Sequence, residues 1–133
     1  LLANEFFTKT ILPTLELAKD KKIQFSGRHV ITNVMSEYPH ATAICHQVNN
    51  QYNYMSLEFV TAGFPLVHNA PDWHDMGYYY EGHDLELAET ALNAALSRHY
   101  DDLEAYRCGA ESVCWRHNPY NPEVQAEWKK LLD

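Results

Sequence analysis

The sequence predicts an α/β fold, a parallel sheet flanked by helices, in one domain over residues 1–133. Three observations predict it. The stretch FPLVHNAP at 64–71 is a short apolar run stopped by Asn69-Ala70-Pro71, as suits a strand buried on both faces. Amphipathic helical stripes precede and follow it. Turn signals fall between these segments one at a time, with no linker-like stretch or internal repeat. Strands alternating with helices point to layers about a sheet.

The elements follow in order. Asn4 to Lys21 carries Phe7, Ile11, Leu15 and Ala18 at helical steps, so it reads as helix, kinked or restarted at Pro13. Ile23 to Val30 alternates weakly and ends in a Gly27-Arg28-His29 turn, which predicts a short strand. Ile31 to Pro39 holds one or two helical turns. Ala41 to His46 is small and β-branched and reads as a strand, and Gln47 to Asn53 is an almost wholly amide loop. Tyr54 to Ala62 is a helix with Met55, Phe59 and Ala62 on one face, stopped by Gly63. After the buried strand, Asn69 to Gly77 is a loop and Tyr78-Tyr79-Tyr80 is β-prone. An acidic start at Asp84 opens a helix with Leu85, Ala88, Leu92, Ala95 and His99 on one face. Asp101 to Arg116 is the next, with Leu103, Tyr106 and Ala110 spaced for burial. Asn121 caps the last helix, Pro122 takes its first position, and Val124, Trp128 and Leu131 form its stripe.

Composition narrows the function classes. With 46% apolar and 21% charged residues, 5 Gly and 6 Pro, the chain is neither disordered nor low-complexity. Ten Lys and Arg against 18 Asp and Glu give a net charge of −8, the wrong sign for a nucleic-acid partner. No apolar run approaches the roughly 20 residues of a membrane span, and LLANEFFTKT lacks the basic start and apolar centre of a secretory signal. Cys45, Cys108 and Cys114 cannot all pair and form no C-x-x-C, so a reducing cytoplasm is expected. Cys108 and Cys114 point to different faces of one helix and are read as packing residues.

Candidate chemistry concentrates between Cys45 and Asn69. Behind a predicted strand, Gln47, Asn49, Asn50 and Gln51 lead to a helix start, where free N–H groups and the helix dipole favour an anion such as a diphosphate. Glu58 lies on the order of 9 Å along that helix, about the reach from a nucleotide's phosphates to its ribose. A carboxylate, being acceptor-only, takes both hydroxyl protons of a ribose diol. The competing reading is a solvated helix glutamate beside an ordinary capped turn.

SLEFVTAGFPLVHN resembles the GT-B glycosyltransferase signature, a helix bearing Leu-Glu that ends in a small residue and Gly, then x-Pro and an apolar strand. HQVNNQYNYMSLEFVTAGFPLVHN followed by GYYYEGHD resembles the C-terminal part of a glycosyltransferase-like family of bacteria and their phages, from about Lys22 to Asp133. The resemblance implies a Rossmann-like C-terminal half of a two-domain enzyme that holds a nucleoside-diphosphate sugar and needs no cofactor or metal. The other half would bind the acceptor. It implies that Glu58 binds the ribose and that the Gln47 to Gln51 loop faces the diphosphate and sugar. The retaining GT-B pattern has two glutamates eight positions apart, and here the earlier position is Asn50, so stereochemistry, sugar and catalytic residues stay open. A chain opening on Leu1 within a helical pattern agrees with a fragment, and an exposed cleft wall would favour self-association.

Other residues carry paired readings. Arg28 either lends positive charge to a diphosphate leaving group or is a surface arginine in a turn. His29 and His46 lie near the expected cleft edge, where a hydrogen-bonding role competes with a catalytic one. His68, Asp72, His74, Asp75, His83 and Asp84 are dense in metal-ligating types but lack a tight ligand spacing, which favours no metal. Trp73 and Tyr78 to Tyr80 either stack on a base or sugar or anchor loops to the core, at least one of the three tyrosines facing inward. The function expected is donor binding in a glycosyltransferase. The alternatives are a non-catalytic α/β interaction module and a metal-dependent hydrolase built on the His and Asp loop.

Overall fold

Leu66, Val67 and His68 are each at most 1% exposed, the burial that an apolar run between turn signals requires. They form the central strand in the computed structural model, which describes residues 2–27, 29–50 and 52–132. The strands are β1 (Ala43–Cys45), β2 (Leu66–His68) and β3 (Tyr78–Tyr79), paired in that order and all parallel. Ile44 lies opposite Val67, and Val67 opposite Tyr78. A helix, α3 (Tyr54–Thr61), joins β1 to β2, whereas β2 reaches β3 through a loop with one 3-10 turn at Pro71–Trp73.

Strand alternation sends neighbours to opposite faces, so each face of the sheet has its own core. On one side Leu66 joins Cys45, Val60, Trp73, Met76, Ala110 and Val113 under α3 and α5 (Leu103–Arg116). On the other, Val67 and Tyr80 pack on Ala91 and Ala95 of α4 (Leu85–Arg98). Each large apolar side chain fully buried contributes about 1.5–3 kcal/mol before the entropy of ordering it is counted.

Side-chain caps fix the helix starts. Asn53 accepts from the Met55 amide at 3.1 Å, Asp84 from Glu86 and Leu87 at 3.0 Å each, and Asp102 from Ala105 at 3.0 Å. Asn121 accepts from Glu123 at 2.9 Å at the head of α6 (Pro122–Leu132). Gly63, at φ +80°, ends α3 in the left-handed region that favours glycine.

The chain divides into two units, residues 1–30 and 31–133. In the first, Phe7–Ile11 is a π-helical turn, Leu12–Thr14 a 3-10 turn and α1 spans Glu16–Lys19. The helix breaks at Leu15 (ψ 125°), two residues beyond Pro13. None of this unit's described side chains is buried.

Several expectations are corrected. The strand expected over Ile23 to Val30 does not form among its described residues. Ser26-Gly27 has little strand preference, and Phe25 instead meets Phe7 edge-on, centroids 6.0 Å apart. By contrast, Ile31–Glu37 forms about two helical turns, α2, as expected. On α3 the buried residues are Ser56, Phe59 and Val60 rather than the Met55 and Ala62 stripe. On α4 the expected face is buried or half-buried at Ala88, Leu92, Ala95 and His99, but Leu85, at the first position, is exposed and Ala91 joins the core. Trp128 and Leu131 are exposed, because nothing among the described residues covers that side of α6. Cys108 is exposed and does not pack, although Cys45 is buried and all three thiols are free.

Candidate functional site

The carboxyl ends of parallel strands leave their last backbone groups unpaired, and loops gather there. Here β1 runs into the amide loop at Gln47, β2 into Asn69, and β3 into Tyr80 to His83. Asn69 binds these ends together. Its Oδ1 accepts from the Gln47 amide at 2.7 Å, and its Nδ2 donates to the carbonyls of Gln47 at 3.0 Å and Gly82 at 2.9 Å. A single buried amide thus continues the ladder on both sides of β2.

Above this clamp lies a cleft of about 330 Å³, walled by Gln47, Asn49 and Asn50 on one side and by Glu81 and His83 on the other, with Asn69 and Tyr79 also lining it. Asn49 adopts φ +55°, a conformation asparagine tolerates better than most residues. Asn50 Nδ2 donates to Gln47 Oε1 at 3.2 Å, and Gln47 Nε2 points to the Cys45 sulfur at 3.0 Å. The far end of the loop is tied down by Tyr52, whose hydroxyl donates to Asp72 at 2.5 Å; that hydrogen bond to a carboxylate pushes the phenol up.

Beside the cleft, His46 Nδ1 lies 2.6 Å from the Tyr80 hydroxyl, and its ring stands edge-on to His83 with centroids 4.8 Å apart. Tyr80 is the buried member of the tyrosine trio, and Trp73 is a core residue whose Nε1 donates to His117 at 2.9 Å.

The expected site residues divide into three groups. Gln47, Asn49 and Asn50 are brought together in the cleft. Glu58 is exposed on α3 and does not line it. Arg28 and Gln51 lie outside the described residues. The first donors of α3 are partly taken by its own cap, since the Met55 amide is bonded to Asn53, so the loop rather than the helix end forms the wall. Glu81 was missed by sequence reasoning, and its only signal was its position just beyond a β-prone trio.

The His and Asp loop does not converge. His68 Nε2 lies 2.8 Å from the Met76 carbonyl while its Nδ1 accepts from the Ala70 amide, and burial pushes this imidazole down. His74 Nδ1 faces the Pro71 carbonyl, and Asp84 caps α4. Asp75 forms a bidentate pair with Arg116 at 2.7 and 3.0 Å. Partial burial pushes Asp75 up, but the Arg116 hydrogen bonds and charge outweigh it and hold the carboxyl below its usual range. Among the described residues no three His, Cys, Asp or Glu side chains are grouped to hold a metal ion, and no helix is long and apolar enough to cross a membrane.

No curated protein and no solved structure matches the chain. A family model does, over residues 2–132, and its description is "protein of unknown function (DUF2827)". With almost every residue inside that match, the chain belongs to the DUF2827 family.

Proposed function

We propose that this domain binds the nucleoside-diphosphate sugar of a glycosyltransferase, in a Rossmann-like arrangement corresponding to the C-terminal half of a GT-B enzyme. The observation that carries the reading is the amide-walled cleft at the carboxyl end of three parallel strands, where ligands of open α/β sheets bind. Carboxamides offer donors and acceptors together, which suits sugar hydroxyls and phosphate oxygens alike. At about 330 Å³ the cleft lies at the small end of the roughly 300–1,000 Å³ usual for ligand sites. It suits the sugar and diphosphate, with the nucleoside running outward along α3 toward Glu58. Sugar transfer itself would break the bond from the anomeric carbon to the diphosphate, form one to an acceptor oxygen, and pass that oxygen's proton to a base.

A thermal-shift panel of UDP-, GDP-, ADP- and TDP-sugars tests the reading. One of them should raise the midpoint, and Glu58→Ala should remove the rise while leaving the unliganded midpoint unchanged. No shift with any of them at millimolar concentration would overturn donor binding. A shift that persists in Glu58→Ala would keep donor binding and remove Glu58 from the ribose.

A further inference from the structure

The cleft walls present an electrostatic problem for any phosphate ligand. Among the described lining residues there is no Lys or Arg, while Glu81 contributes a carboxylate. Among the described residues at the cleft, the side chains able to supply positive charge are imidazoles, a side-chain type that gains its charge as pH falls. His83 lines the cleft, and His46 stands edge-on behind it, centroids 4.8 Å apart with planes at 73°. His46 is itself placed by the Tyr80 hydroxyl at 2.6 Å, and Tyr80 is buried against Val67 and α4. The pair is therefore anchored to the core although both rings reach solvent.

We propose that His83, backed by His46, is the anion-recognising element of the cleft, and that its ligand class is a diphosphate diester. This rests on the nucleotide-sugar reading and adds the residues that meet the charge. The surrounding groups determine the direction of the pH effect. Glu81 shares the turn with His83; Asp84 has its Oδ1 committed to the amides of Glu86 and Leu87; Tyr79 and Tyr80 approach from β3 and the turn after it. Asp72, next in sequence to the lining Pro71, is bonded to Tyr52. On β1, Cys45 packs into the opposite face of the sheet. With both imidazoles neutral, Glu81 repels the ligand. One protonated imidazole cancels that charge, and the second makes the wall positive. Two imidazolium rings this close repel each other, so a dianion between them and solvent favours the doubly protonated state. Affinity then rises as pH falls.

Dimethyl diphosphate separates this from the parent reading, because it has neither base nor sugar and remains a dianion throughout the imidazole range. Binding to the full chain is followed by NMR through the histidine Cε1–H signals at pH 7.5 and 5.5. One charge pair at contact in water corresponds to about fivefold in affinity, so tightening of at least about that much is expected at the lower pH. The His83 signal should move on binding. His83→Gln should lose most of the pH slope, keeping only the part that His46 contributes, and His46→Gln should reduce the slope by less without abolishing binding at pH 7.5. Equal affinity at both pH values in the wild type, no binding at either, or the full slope retained in His83→Gln would overturn the assignment. If dimethyl diphosphate binds as expected and every nucleotide-sugar fails, the imidazole pair stands and the donor reading falls. If a nucleotide-sugar binds with no pH dependence, the donor reading stands and the pair falls.

Discussion

His68 illustrates how a residue's chemistry is decided by its surroundings. From its type and neighbours it was a candidate metal ligand, yet it is 1% exposed and both ring nitrogens are engaged by backbone, Nε2 at the Met76 carbonyl and Nδ1 at the Ala70 amide. That pattern fits a neutral ring protonated on Nε2. Burial pushes its pKa below the ordinary 6.5, while the Met76 carbonyl pushes the other way with less effect. In the unfolded chain His68 takes up a proton near pH 6.5, and in the folded chain it does so only at lower pH. Below about pH 6.5 the unfolded state thus binds more protons and stability falls with pH, by at most about 1.4 kcal/mol per pH unit from this one group. An NMR titration should find the His68 Cε1–H midpoint below 6.5, and urea unfolding should show a midpoint decreasing from pH 7 to pH 5.5. A His68 midpoint at or above 6.5 would contradict the burial argument. None of this was legible in the sequence, since the two backbone partners come from a turn and a loop whose course the sequence does not specify. The amides of Gln47, Asn49 and Asn50 were legible, because a polar run immediately after a strand has to emerge at the strand's carboxyl end.

At the scale of elements, capping and stop signals were read more reliably than burial. Asp84, Asn121 and Gly63 lie where the sequence placed them, because caps and stops depend on a few neighbouring residues. The strand expected at Ile23 to Val30 does not form among its described residues, because weak alternation does not provide a partner edge. Close approach between elements was equally invisible beforehand. Gly109, inside α5, lies against the loop that joins β2 to β3: a Cβ added there would stand 2.7 Å from the Asp75 carbonyl oxygen. Helix propensity alone favours Gly109→Ala by about 1 kcal/mol. Overpacking against backbone costs about 1–3 kcal/mol, and the carbonyl it meets is held in the loop that Asp75 pins to Arg116, so the clash is expected to win. Urea denaturation should therefore find Gly109→Ala less stable than wild type, by up to about 2 kcal/mol. A stabilised variant would show that α5 can shift away from the loop without loss.

Across the whole molecule, apolar residues fall into two populations that hydropathy alone does not separate. Leu66 is fully buried in the core beneath α3 and α5, whereas Trp128, the largest residue of the α6 stripe, is 61% exposed. Periodicity marks which residues of a helix share a face; it does not say whether another element covers that face, which depends on how the chain closes around the sheet. The same limit explains Leu85 and Leu131. The central strand could be read correctly because a continuous apolar run has no polar face to leave outside, so both sides must be covered. The energetic consequence separates the two populations. Truncating a buried leucine removes its transfer energy and leaves a cavity, about 2.7–5 kcal/mol in sum. A substitution at an exposed site stays within about 0.5 kcal/mol. Leu66→Ala should therefore lower the urea midpoint steeply or unfold the domain, and Trp128→Ser should leave it nearly unchanged. Were Trp128→Ser to cost as much as Leu66→Ala, the stripe of α6 would have to be covered in solution. The midpoint would then depend on protein concentration, because a surface covered by another copy contributes to stability only as that copy binds.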